Sequence, residues 1–325
     1  MQRQGLPRRP SIQKIPRRRV LSVEPVVPLA SIDLPMDRST FALHPTARVL
    51  RIETDSLPVK RYLESAYARM WLPSMRLARG AVDRGLLRVH PPASCSLNGV
   101  EVPVASLRQQ PISRASAILA ANQLFWNCLA LDDQWLSLYG CALTIGKRAV
   151  VLAASSRTGK TTLALSLLAM GARLHSDEIV CIRYRDLLVS GLQRTLVMRE
   201  PSVALLSDDR IARFCQTNKP MGLAQSRVWH FMKPEEVFGT HAWAAPSSLG
   251  AVIFLEPSSC ATAQIGALNK TVGTARLLPL IKGATRTIGD IATLRTVFSS
   301  IDFYTLKLGQ PNHSARVVLE ALSQC

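Results

Sequence analysis

The clearest signal in the chain is a change of hydrophobic period near its middle. After Arg148, residues Ala149-Val150-Val151-Leu152-Ala153 form an unbroken apolar run, the pattern of a strand buried on both faces. A polar stretch follows, Ser155-Ser156-Arg157-Thr158-Gly159. Residues 160–170 then read as a helix, and Gly171 stands where a left-handed C-terminal cap belongs. Residues 172–182 predict a second strand, which carries the adjacent acids Asp177 and Glu178; residues 251–256 predict a third. The first third is less regular. Ala47-Arg48-Val49-Leu50-Arg51-Ile52 alternates as a strand does, and residues 59–71 predict a helix. Pro91-Pro92 and Asn98-Gly99 predict turns, the second a hairpin. Ser113 is a candidate cap for a helix through Ala117, Leu119, Leu124, Phe125 and Leu129. The expected division is a tail over residues 1–35, an α+β region over 36–134 and an α/β domain over 135–325.

Composition narrows the class. Hydrophobic residues are 47% of the chain and charged residues 19%, enough apolar surface for a sizeable core. The best membrane candidate, residues 117–130, is broken by Asn122, Gln123 and Asn127, so no membrane partner is expected. The net charge is +18, and residues 1–20 hold seven basic side chains and no acid, leaving about +11 elsewhere. Such a field favours anionic partners without choosing among them. The basic run reads as a solvated tail, and no zinc-finger or RNP pattern accompanies it, so nucleic acid is not expected. The seven cysteines are widely spaced with no CxxC pair, which fits a reducing cytoplasm and argues against a zinc site.

One segment carries chemistry. Ala154-Ser155-Ser156-Arg157-Thr158-Gly159-Lys160-Thr161 matches a small residue, four of any kind, then Gly-Lys-Ser/Thr: the phosphate-binding loop, here between a strand and a helix as its context requires. Loop N–H groups turn inward round a polyphosphate, Gly159 permits the close approach, and the helix start adds unpaired N–H groups. Lys160 is a point charge for the β- and γ-phosphates, and the Thr161 hydroxyl is placed for Mg²⁺. As a solvated loop lysine, Lys160 is expected to be dispensable for folding. Ala154 at the first position implies an ordinary negative φ. Asp177 and Glu178 lie 17 and 18 residues after Lys160. Strand neighbours point to opposite faces, so both acids can serve one site only if the strand ends or bulges there. Glu256 is a rival acid, read as a strand end before Pro257. Arg194 and Arg199 read as surface arginines, with phosphate contact the alternative.

Residues 138–182 resemble the catalytic domain of HPr kinase/phosphorylase and its HPr-kinase-related relatives. The shared features are the loop lysine, a helix ending in Gly171-Ala172 and an acid pair one strand later, with Asp177-Glu178 in place of a double Asp. The resemblance continues more weakly through residues 251–257 and 303–309. It implies a P-loop kinase fold of the HPr-kinase/PEP-carboxykinase-like type behind a smaller N-terminal α+β region. It also implies Mg·ATP-dependent phosphorylation of a serine in a protein or precursor peptide, the lasso type among them, and family members assemble into homo-oligomers. By carry-over, Asp177 is the catalytic base and Lys160 binds phosphates. Thr161 and Glu178 are metal-side, and Ala154, Ser155, Ser156, Arg157, Thr158, Gly159, Lys160, Thr161 and Thr162 contact the nucleotide. Tyr139 stands where the family commonly has His, and cannot act like one at neutral pH. The family's glycine-rich second signature is absent; residues 283–289 do not fit it. Two alternatives stay open: another P-loop ATPase, although Ser247-Ser248-Leu249-Gly250 lacks a transporter signature, and a non-catalytic nucleotide binder.

Overall fold

The computed structural model describes residues 37–43, 48–54, 67, 71–72, 82–90, 94–97, 100–101, 134–218, 221–224, 227–282, 294 and 298–323. The N-terminal part of these is a six-stranded sheet in the order β3-β1-β2-β4-β5-β6, formed by Asp37–Leu43 (β1), Arg48–Thr54 (β2), Trp71–Leu72 (β3), Val82–His90 (β4), Ser94–Leu97 (β5) and Val100–Glu101 (β6). Strand β2 takes in the predicted alternating run from Arg48 on; Ala47 lies outside the described residues. Strand β5 pairs antiparallel with β6, Leu97 opposite Val100; the turns predicted at Pro91-Pro92 and Asn98-Gly99 lie outside the described residues. The helices expected over 59–71 and after Ser113 lie outside the described residues, apart from Tyr67, which is in a turn, and Trp71, which is in β3.

An eight-stranded mixed sheet follows, and the molecule is an α/β protein. Its order is β10-β9-β7-β8-β14-β17-β15, from Trp135–Ile145 (β7), Arg148–Ala153 (β8), Arg173–Arg183 (β9), Leu188–Gly191 (β10), Ser247–Glu256 (β14), Gln264–Leu268 (β15) and Asp302–Lys307 (β17); Ile281–Lys282 (β16) pairs with β7. Strands β8, β14 and β17 run parallel, whereas β7 pairs antiparallel with both β8 and β9. A small antiparallel sheet, order β11-β13-β12, joins Leu196–Arg199 (β11), Met221–Ala224 (β12) and Arg227–Met232 (β13).

Strand β8 shows why its sequence is apolar after the exposed Arg148. Val150 and Leu152 enter one buried cluster with Leu163, Leu167 and Leu168 of the helix Lys160–Ala169 (α1) and with Ala315 and Val318 of the helix Pro311–Ser323. Ala149, Val151 and Ala153 enter a second cluster with Phe254, Phe298 and Phe303. Period-2 side chains covered on both faces leave no polar position. Each leucine buried by α1 contributes about 1.5–3 kcal/mol. Helix α1 stops as predicted: the N–H of Ala172 bonds to Leu167 O at 3.0 Å, that of Gly171 to Leu168 O at 3.1 Å, and Gly171 has φ 95°, a Schellman termination. Among the described residues no helix is long and apolar enough to cross a membrane.

Candidate active site

The loop between β8 and α1 is built from its own backbone. Arg157 (φ 69°) and Gly159 (φ 103°) occupy the left-handed region. Gly159 does so without steric penalty, while Arg157 bears about 1–2 kcal/mol as a non-glycine residue. Ala154 stays outside that region, as its side chain requires. The Thr158 hydroxyl donates to Ser155 O at 3.0 Å and lies 3.0 Å from the Ser155 hydroxyl, which pins the turn. Helix α1 has neither a side-chain cap nor an acid in its first turn. Its leading N–H groups and positive end therefore meet the cleft unneutralised.

Lys160 is not the solvated lysine expected from sequence: it is 5% exposed. Its ammonium donates to Ala154 O at 3.0 Å and Ser155 O at 2.7 Å and lies 4.3 Å from the centre of the Tyr139 ring. Burial lowers its pKa, and Asp177 partly restores it. The charge is thus held by neutral carbonyls and a ring face, weaker partners than a phosphate oxygen.

The acid pair lies opposite. The Thr161 hydroxyl donates to Asp177 Oδ2 at 2.9 Å, so Thr161 sits one hydrogen bond from Asp177. Asp177 is buried, and its Oδ1 is enclosed without a hydrogen-bond partner. Burial first, then the neighbouring Glu178 charge, pushes its pKa up to about 6, against the opposing pull of Arg194, the Thr161 hydrogen bond and Lys160. Glu178 meets the condition that the sequence set: it has φ 77° in the middle of β9. That twist breaks the alternation, and both acids line one cleft. Glu178 pairs with Arg194 at 2.5 Å. Arg194 is 4% exposed, which corrects its reading as a surface arginine; the charge excess of the chain concealed a buried partner. Arg199 is exposed and lines the cleft. Glu256 ends β14, pairs with Arg276 at 3.1 Å and does not line the cleft, in line with its strand-end reading.

The cleft holds about 660 Å³. Beyond the loop and acids, its walls come from Tyr139 on β7, from the segment 194–205, from the turn after β14 (Ser259, Cys260, Ala261) and from the turn after β17 (residues 308–311). The two turns were not singled out in the sequence as site residues. Their one local signal is Gly309, where a Cβ would fall 2.4 Å from Ala261 O. Burial raises the Tyr139 pKa, so the phenol stays neutral at physiological pH. Among the described residues no cluster of three or more His, Cys, Asp or Glu is placed for a metal. Two carboxylates, one of them with an orphaned buried oxygen, and a hydroxyl instead suit a hard cation that takes its other ligands from water and phosphate. The uncapped helix end and buried lysine suit the phosphates themselves.

No protein-family model matches the chain, and no curated protein does. Among solved structures, the chain is similar to the Hpr(Ser) kinase/phosphatase from Coxiella burnetii at 14% identity, over 58% of this chain and 97% of that one, with a TM-score of 0.30. A similarity at that level carries no functional weight. The case for function rests on the cleft: a buried loop lysine, a free helix end and two carboxylates facing one space.

Proposed function

We propose that the protein is an ATP-dependent kinase that transfers the γ-phosphoryl group to a serine hydroxyl of a protein or peptide. The observation that supports this most is that Lys160, Thr161, Asp177 and Glu178 line one cleft at the uncapped start of α1. A nucleotide-binding loop alone would not need two carboxylates, one of them buried.

In this reading the loop amides and Lys160 orient the triphosphate and neutralise charge that spreads onto it during in-line transfer. Thr161 and Glu178 are the metal-side ligands, and Mg²⁺ when bound supplies further charge neutralisation. Asp177 accepts the serine proton as the new oxygen–phosphorus bond forms and the bond from the γ-phosphorus to the β-phosphate oxygen breaks, releasing ADP, and its raised pKa makes it a stronger base than an ordinary carboxylate. Tyr139 backs the lysine and shields it from water. The test is incubation of the full chain with Mg·ATP and serine-containing peptides, read by mass spectrometry. A gain of about 80 Da, one phosphoryl group, on the peptide is expected. Rapid phosphate release without any labelled peptide would instead make it an ATPase.

A further inference from the structure

Nothing in the local sequence of β9 makes Glu178 adopt a left-handed backbone. The residue is not glycine, and the strand continues on both sides of it, from Arg173 to Arg183. A non-glycine φ of 77° costs energy unless the surroundings hold it. Besides β7, where Gly140 pairs with Glu178, those surroundings include one short segment, residues 191–194, which runs off the end of β10.

Three contacts join that segment to the twist. The Ser176 hydroxyl donates to Leu192 O at 3.0 Å and also to Ile179 O, so it ties the residues on either side of the acid pair to the segment. Gly191 leaves the room: a Cβ there would lie 2.3 Å from Ser176 Cβ and 2.7 Å from Ile179 O. The Arg194 guanidinium then meets Glu178 at 2.5 Å while itself 4% exposed. A buried arginine needs a carboxylate, and the contact from Arg194 Nη2 to Glu178 Oε2 fixes where that carboxylate sits.

We propose that Arg194 is a positioning residue which, with Gly191, clamps Glu178 in its left-handed twist and so turns the second carboxylate into the cleft beside Asp177. The clamp deepens the kinase reading and rests on it for its purpose, which is to present Glu178 to the metal. Without the clamp the strand regains its alternation, and Glu178 leaves the face that carries Asp177.

The test uses the full chain and Mn²⁺ as the probe, titrated by electron paramagnetic resonance in the presence of a non-hydrolysable ATP analogue. Arg194→Gln and Gly191→Ala are each expected to weaken Mn²⁺ binding at least tenfold. Analogue binding in EDTA should stay within threefold of the parent protein. Arg194→Lys keeps the charge but not the fork and should fall between. If Arg194→Gln does not fold, the cycle of Glu178→Gln with Arg194→Gln/Glu178→Gln answers the question, because the double variant leaves no buried charge unpaired. Equal Mn²⁺ and analogue affinities for those two variants support the clamp. Weaker analogue binding in the double variant would make Arg194 a phosphate contact and overturn it, as would parental Mn²⁺ affinity in Arg194→Gln. The outcomes separate from those of the kinase reading: Mn²⁺ binding that depends on Arg194 in a protein that phosphorylates nothing removes the kinase and leaves the clamp.

Discussion

Lys160 shows how far a residue's role can differ from its expected setting. The motif makes it a phosphate contact and says nothing of its burial, yet its ammonium is enclosed between two carbonyls and a tyrosine ring. A buried cation is costly, and its partners offset that cost only in part. Lys160→Met should therefore change stability little, by about 1 kcal/mol in either direction, since the lost hydrogen bonds and the relieved desolvation oppose each other. Phosphoryl transfer in that variant should fall by at least about 10²–10³. Calorimetry and a peptide-phosphorylation assay check the two halves, and undiminished turnover would remove Lys160 from the chemistry.

At the scale of the element, β9 concentrates the titration behaviour. It holds two buried groups shifted in opposite senses. Asp177 is raised from 3.8 to about 6, chiefly by burial. His175 is lowered from 6.5 to about 4, again chiefly by burial, with its Nε2 2.8 Å from the Thr144 hydroxyl. A raised carboxyl pKa contributes stability that is complete below about 3.8 and is lost as pH rises through about 6. A lowered imidazole pKa contributes stability present above 6.5 and lost as pH falls through about 4. The two slopes oppose each other across one window. Asp177→Asn should therefore be more stable than the parent at pH 7.5, by on the order of 2 kcal/mol, and lose that advantage by pH 4. Its phosphoryl transfer should drop about 10²–10⁴-fold. Melting temperatures between pH 4 and 8 decide the point: parallel curves for variant and parent would show that Asp177 ionises normally in the fold.

At the scale of the molecule, the cleft is assembled from distant parts of the chain: β7, the β8–α1 loop, β9, the segment 194–205 and the turns after β14 and β17. A ligand that touches them all should stabilise them together. Mg²⁺ with ATP should raise the melting temperature more than either alone, by the equivalent of about 2.7 kcal/mol at a hundredfold excess over Kd. Differential scanning calorimetry measures this, and no shift with any nucleotide would remove the nucleotide site. Local sequence was sufficient for β8, for α1 and its Schellman stop and for the loop between β8 and α1. Each is decided within a few residues, by side-chain period, by turn chemistry or by where glycine stands. It also set the condition that Asp177 and Glu178 share a face only if the strand is distorted. Whether that condition holds, and that Arg194 lies buried against Glu178, was decided by tertiary structure alone. So too was the burial of Lys160 against Tyr139. The reason is physical: burial and ion pairing depend on which strands become neighbours, and in a mixed sheet joining residues more than a hundred positions apart, short-range patterns do not carry that information.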